Sequence, residues 1–325
     1  MKTNNMNIKA EQILTLIRCH LENDNDRFKT VAYQIAAEES AVGHGVIAQS
    51  IKDLFTRKKD VLIKPKFSML NSEVSDFFME KDSDYRLSDL VVKTEVREKI
   101  KKVIREYIQR EKLRRYGLEN KKSLLLAGPS GTGKTMTASV IAHELHVPLF
   151  VVRMEKIVTK FMGETSLKLG MVFDYMREMP GVFLFDEFDA IGQQRGIVNE
   201  VGEMRRILNS FLQMMERDLS DSIVMAATND INSLDSALFR RFDDILTYDF
   251  PEEAEIIQLL DNEFAGFAMS GNMKDLLLVL NNKSHADICM ICRDAKKESI
   301  LNDTPLTTDL VRDVAMQRIF NSQIS

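Results

Sequence analysis

Cysteine is scarce in this chain. Three in 325 residues is an odd number and too few for a disulfide framework, so a reducing compartment, the cytoplasm, is the expectation. Long apolar runs are missing too. None approaches the roughly 18 residues that cross a bilayer, and the opening MKTNNMNIKAEQ lacks the apolar core of a secretory leader, so no membrane association is expected. Positive charge is in deficit: 44 Lys and Arg against 49 Asp and Glu leave a net charge of -5. An acidic chain is poorly suited to sequence-independent attraction to phosphate backbones, which argues against a nucleic-acid partner. There is no internal repeat and no low-complexity tract. Neither H-E-x-x-H nor G-x-S-x-G occurs, so two common protease and hydrolase signatures are absent.

What is present is an ordinary globular composition, 44% apolar and 29% charged. Ile13, Leu14, Ile17 and Leu21, then Phe28, Val31, Ala32 and Ile35, then Val46, Ile47, Ile51 and Leu54 recur at helical spacing. Asn25 and Gly43 punctuate them, which predicts a three-helix module over residues 1–57. Residues 58–85 break the pattern around Pro65, with Arg57, Lys58, Lys59, Lys64 and Lys66 clustered and little aromatic interleaving, and read as a solvated linker. Val96, Ile100, Val103, Ile104 and Ile108 mark an amphipathic surface helix that ends at Gly117.

Short apolar runs follow at Ser123–Ala127, Leu149–Val152, Val182–Phe185, Ile223–Ala227 and Ile245–Tyr248, mostly separated by helical stretches. This alternation predicts an α/β domain over 86–250 with a parallel sheet covered on both faces. After Pro251 the pattern is helical, and residues 251–325 read as a helical lid without a further strand.

Gly128-Pro129-Ser130-Gly131-Thr132-Gly133-Lys134-Thr135 fits the G-x-x-x-x-G-K-[ST] phosphate loop. It follows an apolar strand and opens a helix at Met136, which is the context that motif needs. Glycines let backbone N–H groups turn inward around phosphate oxygens, and the helix N-terminus adds its positive end. Lys134 is expected at the β- and γ-phosphates of ATP and Thr135 at Mg²⁺. The strand Val182–Phe185 ends in Asp186-Glu187. Asp186 is expected to hold Mg²⁺, and Glu187 to orient or activate the attacking water. A chain Cys289-Met290-Ile291-Cys292 with His285 on the same helical face suggests a zinc or redox site, but no fourth ligand accompanies it, and buried structural thiols are the better reading.

With these motifs in order, residues 87–318 resemble the AAA ATPases, in the clade of katanin, spastin and the membrane-anchored AAA proteases. The resemblance implies a P-loop fold with five parallel strands in the order 5-1-4-3-2 and a ring of identical subunits, a hexamer. It implies a water-orienting role for Asn229, after Thr228. Leu234 to Asp243 is similar to the clade's second region of homology, which implies that Arg240 and Arg241 reach the nucleotide of the neighbouring subunit. Phe161-Met162-Gly163 looks like the central pore loop that grips substrate, although without the family a core position for Phe161 would be favoured. Glu203, Arg205 and Arg206 fall where family members carry subunit contacts. Asp89 and Leu90 resemble the segment beside adenine, and Ser284-His285-Ala286-Asp287 resembles the lid motif, with His285 in place of the usual glycine; Met136, His285 and Ala286 are therefore expected at the nucleotide.

The function the resemblance implies is ATP-driven threading of a protein substrate in the service of a separate, subtilisin-like protease. A DNA loader or helicase and a slow nucleotide-switched platform are the alternatives. The acidic charge and the pore aromatic oppose the first; the complete catalytic set opposes a platform that does not hydrolyse ATP.

Overall fold

The computed structural model describes residue 15 and residues 30–37, 72–81, 83–159, 162–188, 198–231, 234 and 236–322; the side chains of 72–73, 162, 198–205, 236–237 and 319–322 are outside the description. The chain divides into two compact units, Met1–Lys66 and Phe67–Ser325. In the first, residues 30–37 are helical with Ala32 and Ala36 buried; the rest of the expected three-helix module lies outside the described residues.

The second unit is built on a six-stranded sheet. Its strands are β1 (Phe78–Lys81), β2 (Ser123–Ala127), β3 (Leu149–Val152), β4 (Val182–Phe185), β5 (Ile223–Thr228) and β6 (Asp244–Thr247), in the spatial order β1-β3-β4-β5-β2-β6. The five strands from β2 to β6 are parallel and take the expected order. The central strands are apolar from end to end because both faces are covered: β2, β4 and β5 are buried at every residue. Alternate residues feed two cores. Leu125, Phe183, Phe185, Val224 and Ala226 join Phe173 and Phe211 on one face. Leu124, Leu126, Leu184 and Met225 join Ile100, Val103 and Ile141 on the other. Helices α1 (Thr94–Ile108) and α2 (Lys134–Leu145) cover the second face, and α3 (Met162–Glu178) and α4 (Val198–Arg217) the first.

Two expectations are corrected. The stretch 58–85 is not linker throughout: β1 lies in it and pairs antiparallel with β3, Phe78 opposite Val152 and Lys81 opposite Leu149, so the sheet has six strands rather than five. Only Phe78 of this strand faces inward, and one buried residue in four shows no readable period. Its free edge partner, β3, supplies the backbone groups that make it a strand. The second correction is in the lid, which contains a parallel pair of two-residue strands, β7 (Met269–Ser270) and β8 (Leu306–Thr307). They join helices α5 (Glu253–Phe264), α6 (His285–Leu301) and α7 (Thr308–Ser322) around a third core of Ile256, Leu260, Phe264, Ile288, Ile291 and Val311.

Phe78 tests whether β1 belongs to the fold. Its ring lies 4.8 Å from Tyr175 and 5.7 Å from Phe183, centroid to centroid. Phe78→Ala is expected to cost about 3–5 kcal/mol, read as a lower denaturant midpoint; an unchanged midpoint contradicts a structural role for the strand.

Candidate nucleotide site

The loops at the carboxyl ends of β2, β4 and β5 converge on one edge of the sheet, where open α/β sheets bind ligands. The first is the glycine loop. At Gly128 φ is 151°, and an added Cβ would lie 2.1 Å from the Tyr248 carbonyl oxygen. At Gly131 φ is 74°, and an added Cβ would lie 2.7 Å from Ser284 Oγ. Both positions therefore require glycine for space as well as for backbone angle. The loop ends at the N-terminus of α2, whose unpaired amides and dipole favour an anion. Lys134 is buried, and its ammonium donates to the carbonyls of Gly128 (2.7 Å) and Pro129 (2.8 Å) and to Asn229 Oδ1 (2.9 Å). Lysine and asparagine, 95 residues apart in sequence, meet over the loop.

Beside them the Thr135 hydroxyl donates to Asp186 Oδ2 at 3.0 Å. A hydroxyl and a carboxylate at this distance form a pair of hard oxygen donors of the kind Mg²⁺ takes in nucleotide sites. Glu187 has φ 52°, in the left-handed region that a glutamate rarely adopts. Backbone strain of this kind costs on the order of 1–3 kcal/mol and persists where the surroundings enforce it. Here the Phe188 N–H donates to the Ala227 carbonyl at 2.8 Å and the Glu187 N–H to Asp186 Oδ1 at 3.0 Å. The Glu187 side chain is left exposed at the cleft.

The cleft has a volume of about 840 Å³. Asp89, Leu90, Ser130, Gly131, Gly133, Lys134, Thr135, Met136, Asp186, Glu187, Asn229, His285 and Ala286 line it together. Pro129 and Thr132 act inside the loop: the Thr132 hydroxyl donates to the Pro129 carbonyl at 2.7 Å. The Asp89–Leu90 segment is held from two helices. The Leu87 N–H donates to Glu144 Oε1 at 3.0 Å, and the Arg97 guanidinium donates to the Leu87 carbonyl at 3.0 Å and to that of Leu90. Sequence reasoning missed the far wall of the cleft, formed by Tyr85, Leu259, Asn262, Glu263, Cys289 and Met290. On α6 the residues 286, 289, 290 and 293 share a helical face, but nothing in their spacing separates a cleft face from a core face.

Arg240 and Arg241 are exposed and do not line this cleft. Arg241 pairs with Glu216 at the end of α4 and borders a separate hollow with Lys122 and Asp243. Phe161 lies outside the described residues; Met162 begins α3, with its side chain outside the description, and Gly163 is exposed. The side chains of Glu203 and Arg205 also lie outside the description, and Arg206 is exposed. Burial pushes the Cys289 thiol up to about 11 and that of Cys292 up to about 12, which makes both poor nucleophiles at neutral pH. Among the described residues no group of three or more His, Cys, Asp or Glu is placed to hold a metal, and no helix is long and apolar enough to cross a membrane.

This sheet order, with the glycine loop after β2 and the acidic pair after β4, defines a P-loop nucleoside triphosphatase. Residues 124–250 match the model of the ATPase family associated with various cellular activities (AAA). Among similar proteins, an uncharacterized AAA family ATPase, y4kL of Sinorhizobium fredii, is 29% identical over 85% of this chain and 86% of its own length. The proteasome-activating nucleotidase of Methanoregula boonei is 33% identical over 59% of this chain. The ATP-dependent zinc metalloprotease FtsH of Metamycoplasma arthritidis is 30% identical over 73% of this chain. The chain spans 46% and 33% of the length of these two. The crystal structure of the FIGL-1 AAA domain superposes with a TM-score of 0.61 at 20% identity, covering 78% of this chain and 91% of that one, and shares the fold. The chain carries an AAA-family ATPase domain over residues 124–250.

His285 offers a test of the lid side of the site. Its two ring nitrogens are buried without a hydrogen-bond partner. The residue borders a void of about 10 Å³ together with Thr132, Tyr248 and Glu255, room for about one water molecule. Burial lowers the ring's pKa from 6.5 to about 4. The fold therefore holds the ring neutral where the unfolded chain would protonate it. Stability from this group is complete above about pH 6.5 and is lost as pH falls toward 4, by on the order of 3 kcal/mol. His285→Gly should flatten that loss in melts recorded from pH 7 to 4.5; an equally steep loss in the variant would show that another group titrates.

Proposed function

We propose that the protein is an ATP-driven motor that remodels or unfolds other proteins, working as a hexameric ring. The observation that carries this reading is the division of the catalytic parts. Lys134, Thr135, Asp186, Glu187 and Asn229 meet at one cleft, while Arg240 and Arg241 are exposed and do not line it. A site that stabilises transferring phosphate needs fixed positive charge at the γ-phosphate. In this reading that charge comes from the arginines of the adjoining subunit.

The loop amides and Lys134 hold the β- and γ-phosphates of ATP. Thr135 and Asp186 hold Mg²⁺, which when bound supplies positive charge across the phosphate oxygens. Asp89 and Leu90 flank the base, with Met136, His285 and Ala286 closing the other side. Glu187, exposed at the cleft, orients the attacking water, and Asn229, just past β5, assists. Phe161 lies in the pore loop and gives a broad apolar face that grips an extended polypeptide without reading its sequence. The names of two relatives, an activator of the proteasome and an ATP-dependent protease, support a role in supplying protein to a protease; a separate, subtilisin-like enzyme is the proposed partner.

A DNA-directed role finds little support in the basic helix α1. Lys93 pairs with Asp249 and Glu252 at 2.9 Å, Lys99 with Asp244 at 3.3 Å, and Arg110, just past the helix, with Asp221 at 3.4 Å. These cations are matched within the chain.

Glu187→Gln should bind ATP with near wild-type affinity and hydrolyse it at least about a hundredfold more slowly, since affinity resides in the phosphate loop; wild-type turnover would remove Glu187 from its role. Phe161→Ala should keep basal hydrolysis within a few-fold of normal while stimulation by an unfolded protein disappears. If the ring is a core residue instead, truncation costs about 3–5 kcal/mol and both the melting temperature and basal hydrolysis fall. Stimulation of the wild type by single-stranded DNA and not by unfolded protein overturns the remodelling reading.

A further inference from the structure

The lid touches the phosphate loop directly. The Ala286 N–H, in the first turn of α6, donates to the Gly131 carbonyl at 3.0 Å. An ideal Cβ on Gly131 would lie 2.7 Å from Ser284 Oγ and 3.1 Å from Ala286 Cβ, so the two backbones are in close contact. Ser284 is itself fixed: its hydroxyl oxygen accepts from the Asp287 N–H at 3.1 Å, while the Asp287 carboxylate accepts from the Ser284 N–H at 3.2 Å. The N-terminus of α6 thus reaches Gly131 as a rigid cap.

The geometry of the peptide unit gives this contact a second end. The described residues contain no cis peptide bond. In a trans unit the C=O and the following N–H point in opposite directions. With the Gly131 carbonyl turned toward the lid, the Thr132 N–H is turned toward the inside of the loop, the side on which P-loop amides meet phosphate. An amide whose N–H donates to an anion becomes a better acceptor at its carbonyl, because hydrogen bonds in a chain polarise one another.

We propose that the Gly131–Thr132 peptide unit is the relay by which phosphate in the loop tightens the lid. The inference rests on the nucleotide reading of the cleft. Phosphate on the Thr132 N–H strengthens the Gly131 carbonyl's bond to Ala286, and the docked lid in turn holds the loop in its phosphate-binding form. By linkage the two effects are equal in size. The two lid cations at the cleft, Arg293 and Lys296, both pair with Glu263 in the cleft wall, at 3.3 and 2.9 Å. The coupling therefore runs through backbone, not through a lid cation.

Two measurements test this. In the wild-type chain, saturating ADP with Mg²⁺ should slow amide exchange of peptides covering residues 284–288 at least about fivefold; unchanged or faster exchange overturns the relay. In Ala286→Pro the relay's donor is removed at a first-turn position where proline is tolerated. That variant should bind a fluorescent ADP analogue about five- to tenfold more weakly, the range expected for one hydrogen bond, with a melting temperature within a few degrees of wild type. Undiminished affinity also overturns the relay. If the variant does not fold, the exchange measurement on the wild type decides alone. A wild-type chain that binds no ADP at all removes the nucleotide reading and the relay with it, a result distinct from binding that leaves exchange unaltered.

Discussion

At Gly128 there is no space for even one additional carbon, because the backbone of Tyr248 runs directly across it. Much of the site's arrangement follows from that crossing. Tyr248 continues β6 and donates its N–H to the Ala127 carbonyl at 2.7 Å. Its hydroxyl, fully buried, donates to Thr137 Oγ1 on α2 at 2.8 Å. One residue thereby fixes the entry to the glycine loop and the helix that leaves it. Three residues later Pro251 begins the lid, so the segment that bounds the loop also sets where the lid starts. The loop is crowded at a second point by Ser284 and Ala286, so it is held between Tyr248 and the lid.

Within that frame the polar groups are arranged by opposition. Lys134 is drawn over the loop by three oxygen acceptors, whereas Asp186 is drawn to Thr135 and to the Glu187 amide. Positive and negative groups therefore have separate partners in the one cleft they both line. Glu187 is exposed at the cleft with a left-handed backbone, a strain that packing of Phe188 against Phe211 and Phe242 helps to maintain.

The parallel strands and the glycine loop were legible in the sequence because each depends on a local pattern: unbroken apolar runs for strands buried on both faces, fixed spacing for the loop. β1 was not legible, since Phe78 alone faces the core and its strand exists by pairing with β3. The two-residue strands of the lid are too short to show any period. The cleft wall formed by Asn262, Glu263, Cys289 and Met290 depends on how α5 and α6 are turned against the loop. Cys289 and Cys292 have helical spacing that fits a ligand pair, yet burial raises both thiols. The left-handed backbone of Glu187 has no signature at all, because the residue type argues against it. Arg240 and Arg241 could be named from their motif, but the fold leaves both exposed and off the cleft.

β6 has one further property, a mechanical one. It is the edge strand of the sheet and joins β2 through four register pairs, from Leu124 opposite Asp244 to Ala127 opposite Thr247. Its first residue is anchored by Lys99 and Lys121, and its last is followed by Tyr248. Tension drawn along β6 from the lid is borne in shear by all four pairs together, instead of peeling them apart in turn. The connection between the two halves of the ATPase is thus suited to carry load along its own axis.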